Sequence, residues 1–173
     1  MTTETEISGT PASRLDVTVA RQPRLIIPAL RDFYDRFEGV SYALLRAAFG
    51  LTIITHGIPK MLGIPHGSMA DPMAGSTNLI GNVLSLPFAP QLAMVVALLE
   101  TFGGLAVALG LATRVFAPML AVQMAAICLA IGPTYPWIDR DIEYPIMLGF
   151  VALAIAIRGG GPYSLDRRLG IEL

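Results

Sequence analysis

Apolar residues along this chain fall in long runs separated by short polar breaks, a pattern that predicts helices rather than strands. The runs are Val40 to Leu62, Ala89 to Ala112, Val115 to Ile131 and Ile142 to Ile157. The third carries no charge, the second only Glu100, and the first Arg46, His56 and Lys60. A hydrocarbon core of roughly 30 Å takes about 20 apolar residues in helical form, with a range of about 17–25, and the first three runs fall within it. The fourth would be only about 24 Å long at 1.5 Å per residue. Its start is therefore expected to reach back toward Asp139, with Glu143 carried into the bundle or the bilayer thinned locally.

The segments around the runs complete the picture. Residues 1–24 are polar and mixed in charge, and they read as a flexible cytoplasmic tail. They lack the ordered basic start, apolar stretch and small-residue cleavage site of a secretory signal, so the first span is expected to be permanent. Over residues 25–38, Ile26, Leu30, Phe33 and Phe37 recur at helical spacing with Arg31, Asp32, Asp35 and Arg36 between them. This predicts an amphipathic interfacial helix, with packing on protein as the alternative. The connection Gly63 to Phe88 contains LIGNVLSLPF, too short to span, which predicts a short re-entrant or interfacial helix between spans one and two. Brief connections at Thr113–Arg114 and over residues 132–141 imply antiparallel neighbours. The expected fold is an all-α membrane protein, an antiparallel four-transmembrane-helix bundle over residues 39–169 with a short tail at 170–173.

Composition agrees: 54% of residues are hydrophobic and 14% charged, against roughly 25% charged in an average soluble domain. A soluble enzyme is disfavoured, and a net charge of −1 supplies no field to gather nucleic acid. The single cysteine, Cys128, excludes an intramolecular disulfide, and one cysteine with two histidines cannot form a Cys₄ or Cys₂His₂ metal site. Arg14, Arg21, Arg24, Arg31, Arg36, Arg114, Arg158, Arg167 and Arg168 all flank the same ends of the spans. The positive-inside rule then places both termini in the cytoplasm. Tyr135 and Trp137 mark the outer aromatic belt, and Tyr42 and Tyr163 the inner one.

Charges within the spans need an explanation, since each costs on the order of 2.5–3.5 kcal/mol near the bilayer centre. Glu100 lies near the midplane, and depth alone offers Arg46 from one side and His56 from the other as partners. A buried Arg46–Glu100 pair that only fixes helix register is one reading; a polar functional cluster is the other. His56 and Lys60, at i, i+4, share one face loosened by Gly57 and Pro59. Lys60 could snorkel to the outer headgroups and His56 could be an interhelical hydrogen-bonding residue. Gln123 is a candidate interhelical bond or ligand contact. His56 is the only histidine in a span and His66 lies beyond it, which disfavours a bis-His haem within one chain. Met94, Met119, Met124, Met147 and Cys128 read as packing, and Gly103, Gly104, Gly110, Ala121 and Ala125 as close-contact positions.

These residues resemble the DoxX family of small four-helix membrane proteins. The resemblance rests on Arg46, Gly50, His56, Gly57 and Lys60 in RAAFGLTIITHGIPK, and on Glu100, Gly103 and Gly104 in ETFGG. Arg114, Glu143 and the C-terminal GGGPYSLDRRL (residues 159–169) extend it over roughly residues 40–169. It implies an integral protein of the cytoplasmic (inner) membrane of bacteria or archaea. Members near the DoxD group are quinone-linked subunits of thiosulfate oxidation, and others look like partners in thiol and oxidative-stress complexes. The chain holds a single DoxX-like unit without the second, larger region of the thiosulfate-oxidising type. It also carries no recognisable flavin, haem or cluster motif, so electrons are expected to come from a partner redox protein or a reducing substrate, with a homo-oligomer as the alternative association. The expected function is a membrane redox subunit that binds quinone or quinol non-covalently. His56, Lys60, Glu100 and Glu143 are the candidate proton-handling catalytic groups, Arg46, Gln123 and Trp137 the candidate quinone contacts, and no metal site is expected. The alternative is a non-catalytic scaffold or assembly factor; a small transporter is disfavoured by the lack of an inverted repeat.

Overall fold

The computed structural model describes residues 25–171 apart from residues 66, 68, 133, 139 and 140. Among the described residues every regular element is helical. A 3-10 turn, Pro28–Leu30, leads into α1, Arg31–Leu62, which Gly63 ends in the left-handed conformation at φ 64°. α2, Pro72–Asn78, continues as a π-helical turn over Leu79–Val83. α3 (Ala89–Leu98), a second π-helical turn (Leu99–Gly103) and α4 (Gly104–Leu109) follow one another without a gap. α5 is Thr113–Ile131, α6 is Glu143–Arg158 and α7 is Leu165–Leu169.

Pro28–Leu62, Ala89–Leu109 and Thr113–Ile131 are long and apolar enough to cross a membrane. α1 packs along α3, the second π turn and α4, while α5 packs most extensively against α6 and also meets the π turn and α4. Where α1 crosses α4, a Cβ on Gly50 would meet Ala108 N at 2.7 Å and Ala108 Cβ at 2.8 Å, so only glycine permits this approach. Tyr42, Phe49, Ile53, Val107, Leu120, Met124 and Ile155 fill the core. Large apolar side chains nevertheless face outward along every long helix, Val122 at 71% and Ile157 at 72% exposure among them. A lipid-facing surface accounts for them, because water would not tolerate so large an apolar area. The chain is thus a multi-pass helical membrane protein.

The structure revises several local expectations. Residues 31–38 are not a separate interfacial helix but the opening turns of α1, which runs unbroken through Gly39 and Val40. At 32 residues α1 spans about 48 Å, well beyond one hydrocarbon core, so its amphipathic start projects past the apolar region. The short helix between spans one and two starts earlier than LIGNVLSLPF: Asp71 caps it, its Oδ1 accepting from Ala74 N at 2.9 Å, and Pro72 opens it. Thr113 and Arg114 belong to α5, and the turn before it is residues 110–112. α6 does not extend backward, because Asp141 sits at φ 57° and the helix opens at Glu143. The 1–24 tail, His66 and Asp139 lie outside the described residues.

Candidate functional site

Glu100 stands on the π turn that joins α3 to α4, with its side chain only 2% exposed. The widened turn alters the helical ladder here, and the Thr101 hydroxyl donates to the Ala97 carbonyl at 2.9 Å, satisfying a backbone acceptor beside it. Across from it, α1 presents Gly57. A Cβ there would meet Thr101 N at 2.6 Å and Glu100 Cβ at 2.8 Å, so the absent side chain lets α1 close onto the π turn. One turn further along, Lys60 reaches back to Glu100. Its Nζ donates to Oε1 at 2.8 Å and to Oε2 at 2.7 Å, with 11% of its side chain exposed. From α5, Gln123 Nε2 donates to Glu100 Oε1 at 2.6 Å, while Gln123 Oε1 is buried without a donor among the described residues.

The buried ion pair is therefore Lys60–Glu100, not Arg46–Glu100, and Lys60 turns inward instead of snorkelling. Depth reasoning offered Arg46 and His56 as partners of Glu100 and did not single out Lys60. The close approach of α1 at Gly57 selects Lys60, since a packed interior lets only the nearer face of α1 reach the carboxylate.

These three side chains form part of the wall of a cavity of about 470 Å³. The remaining wall is largely apolar: Ile53 from α1, Leu79, Ile80 and Leu84 from the segment after α2, Met124, Ile127 and Ala130 from α5, and Leu148 from α6. His56 lines it one turn before Lys60, with its ring centroid 6.2 Å from that of Tyr144. His56, Lys60, Glu100 and Gln123 thus share one cavity. Glu143 and Trp137 do not line it; Glu143 is exposed at the start of α6, and Trp137 is half exposed in the preceding connection. Sequence reasoning missed Tyr144, one residue beyond Glu143, and Ser76 of α2, both in the wall. The Asp71–Pro72 capping signal could have located α2, but no local signal tells which α6 side chain turns inward. Among the described residues no three His, Cys, Asp or Glu side chains gather as a metal-binding group.

Arg46 serves elsewhere. Its guanidinium donates to the carbonyls of Gly160 and, at 2.8 Å, Tyr163, while the Tyr42 hydroxyl donates to the Gly159 carbonyl. Arg158 lies 4.3 Å from the centroid of the Tyr42 ring and donates to Glu38 at 2.7 Å. Glu38, Tyr42 and Arg46 recur every fourth residue on one face of α1, and together they hold residues 158–163. Asp166 completes this latch: its carboxylate accepts from Ala112 N at 2.7 Å and Thr113 N at 3.1 Å. The GGGPYSLDRRL segment is thereby tied to α1 and to the turn before α5.

The apolar helical rods with a charged, hydrogen-bonded cluster between them define a multi-pass membrane protein with a polar site inside its helical core. The DoxX family model matches residues 41–133, which take in Lys60, Glu100 and Gln123, and the chain belongs to the DoxX family. A Bacillus subtilis (strain 168) protein named "Putative oxidoreductase CatD" is 27% identical over 123 residues, covering 71% of this chain and 82% of that protein. No solved structure matches significantly.

Proposed function

We propose that this protein is the membrane subunit of a redox system and binds a quinone or quinol in the cavity beside Lys60, Glu100 and Gln123, acting with a partner redox protein. The observation that carries this reading is a buried, charged, hydrogen-bonded cluster set in the wall of a largely apolar cavity. A volume of about 470 Å³ falls within the range of small-molecule sites, which combine apolar walls with a few placed polar groups. The donor set suits the ring oxygens: Lys60 and Gln123 each retain an N–H beyond those directed at Glu100. A bound quinone would supply two-electron, two-proton chemistry. The chain's own part is to orient the ring, exclude water with the segment around α2, and hold protons near the ring oxygens through His56 and the Lys60–Glu100 pair. The name of the B. subtilis relative supports a redox role.

The same reading takes α6 as a fourth crossing in an antiparallel four-helix bundle of the cytoplasmic membrane, with both termini inside. Supporting it are the arginines at the ends of α1, α5, α6 and α7 near the latch, and the aromatic Tyr135 and Trp137 at the other end. The cavity then lies in the outer half of the bundle. Cysteine-accessibility labelling at Ser41 and Thr134 in intact cells checks the orientation: labelling from outside at Thr134 alone is expected, and labelling at Ser41 alone would reverse it.

Binding of decylubiquinone and decylubiquinol to purified protein in lipid nanodiscs tests the site. Glu100→Gln is expected to weaken binding of at least one form by tenfold or more in protein that inserts normally. Unchanged binding and unchanged quinol-linked activity would refute the reading. The alternative, a scaffold whose ion pair only specifies the bundle, is favoured by the bidentate pairing of Lys60 with Glu100, which needs no ligand to satisfy either charge. It predicts that Lys60→Met with Glu100→Leu preserves function, because the matched change removes both charges.

A further inference from the structure

A second cavity, of about 340 Å³, lies against the latch, where Arg158, Ser164, Asp166, Arg167 and Ile171 are in its wall. Its hydrogen-bonding balance is one-sided. The two Asp166 oxygens accept from Ala112 N and Thr113 N. Ser164 Oγ accepts from Arg167 N at 3.2 Å and donates to the Gly161 carbonyl at 2.8 Å. The carbonyls of Ser164, Asp166 and Arg167 accept from the N–H groups of Arg168, Ile171 and Gly170 in turn. Acceptors along this wall are thus engaged, and the capacity left over belongs to donors.

Those donors are the guanidiniums of two exposed arginines, Arg158 and Arg167. Arg158 rests with its Cζ 4.3 Å from the centroid of the Tyr42 ring, a contact that holds the group over the ring and uses no acceptor. Its Nη2 donates to Glu38 Oε1 at 2.7 Å, but this pair is largely open, the side chains being 45% and 68% exposed. A pair so exposed is weak, and a guanidinium keeps further N–H groups for a second acceptor. Two arginines beside engaged acceptors favour an anion, and their planar N–H pairs match the oxygens of a phosphate.

The surroundings indicate where that phosphate comes from. Arg158 is the last residue of α6, directly after its apolar run, so it stands where hydrocarbon gives way to headgroups. Earlier on α6, Phe150, Leu153 and Ile157 lie at i, i+3 and i+7 and are 63%, 47% and 72% exposed, forming one outward apolar face. Ile171, half exposed, adds an apolar side chain to the cavity wall itself. A soluble anion would use the arginines alone, whereas a phospholipid uses both chemistries. We propose that the cavity holds the phosphate headgroup of an anionic phospholipid between Arg158 and Arg167, with its acyl chains along the outward face of α6. Because Arg158 closes α6 and Arg167 belongs to α7, the bound headgroup ties the two helices together and reinforces the latch. The site stands apart from the Lys60–Glu100 cavity and does not depend on the quinone reading.

Native mass spectrometry of the purified full chain, titrated in detergent with dioleoyl phosphatidylglycerol or with zwitterionic dioleoyl phosphatidylcholine, tests the site. The first phosphatidylglycerol is expected to bind about tenfold tighter than phosphatidylcholine. Arg158→Gln with Arg167→Gln should bring the two lipids to within about twofold of each other. Arg36→Gln with Arg168→Gln removes the same formal charge from exposed positions outside the cavity wall and should keep the preference. Equal binding of both lipids by the wild-type protein, or a preference lost equally in both double variants, would overturn the proposal, the latter by showing a general positive field and no site. Glycerol 3-phosphate, the headgroup without chains, separates the two sources of phosphate: if it binds as tightly as the lipid, the ligand is a soluble phosphate and the proposal falls. If Arg158→Gln with Arg167→Gln fails to fold, Arg167→Gln alone decides, since it leaves the Glu38 and Tyr42 contacts of Arg158 in place. Phosphatidylglycerol binding weakened by about threefold or more upholds the site, and unchanged binding overturns it.

Discussion

Replacing Glu100 with Leu would leave the Lys60 ammonium in a pocket where its side chain is 11% exposed and its hydrogen-bond partners among the described residues, the two Glu100 oxygens at 2.7 and 2.8 Å, are gone. Breaking a buried pair from one side typically costs about 3–5 kcal/mol, because the surviving charge keeps its desolvation penalty and loses the attraction that offset it. Gln123 Nε2 would also lose its acceptor, adding about 1 kcal/mol. Lys60→Met strands the carboxylate in the same way, with only the Gln123 amide left to it. The double change Lys60→Met with Glu100→Leu removes both charges, so its cost should fall to about 1 kcal/mol or less, chiefly the unpartnered Gln123 amide. Unfolding in mixed micelles by titration with SDS, read by circular dichroism on all four proteins, measures the coupling directly. Each single variant should be several kcal/mol less stable than the double. Singles costing under about 1 kcal/mol, or a double as unstable as either single, would refute the account of a desolvated, mutually dependent pair. The latter result would mean that the pocket needs the charges for packing rather than for each other.

Other outcomes follow from the separation of the latch and the cavity. Arg46→Met removes the bonds to the Gly160 and Tyr163 carbonyls, and stability measured by the same titration should fall by about 2–3 kcal/mol, while affinity for the cavity probe stays within twofold. Gly57→Ala places a Cβ 2.6 Å from Thr101 N and 2.8 Å from Glu100 Cβ. It should cost about 1–3 kcal/mol and weaken probe binding by drawing Lys60 away from Glu100. Glu143→Gln changes an exposed side chain outside the cavity wall and should shift stability by less than about 0.5 kcal/mol, with probe binding unaltered.

The conditions in which this chain folds were legible from its apolar runs. Run length and the sparing use of charge within them required helices that satisfy their own backbone in lipid, so the three long rods and the multi-pass character followed from sequence. The same logic singled out Arg46, His56, Lys60 and Glu100, because an ionisable group within a span is costly enough to need a reason. Order and spacing of short motifs carried the DoxX resemblance, which the family match bears out.

Pairing was another matter. Position along a helix gives depth, but not azimuth after a π turn, and the π turn at Leu99–Gly103 has no period that a sequence reader could recognise. Depth offered Arg46 and His56 as partners for Glu100, but the close approach at Gly57 brings Lys60 within 2.8 Å of it instead. Arg46 is drawn to the carbonyls of Gly160 and Tyr163, more than a hundred residues away in sequence. Likewise Tyr144 lines the cavity and Glu143 does not, although the two are adjacent in sequence. Hydrophobicity and helix length are sums over consecutive residues and survive without a fold. Which of several buried polar groups meet is fixed by side-chain contacts a few ångströms across, and those exist only once the helices have packed.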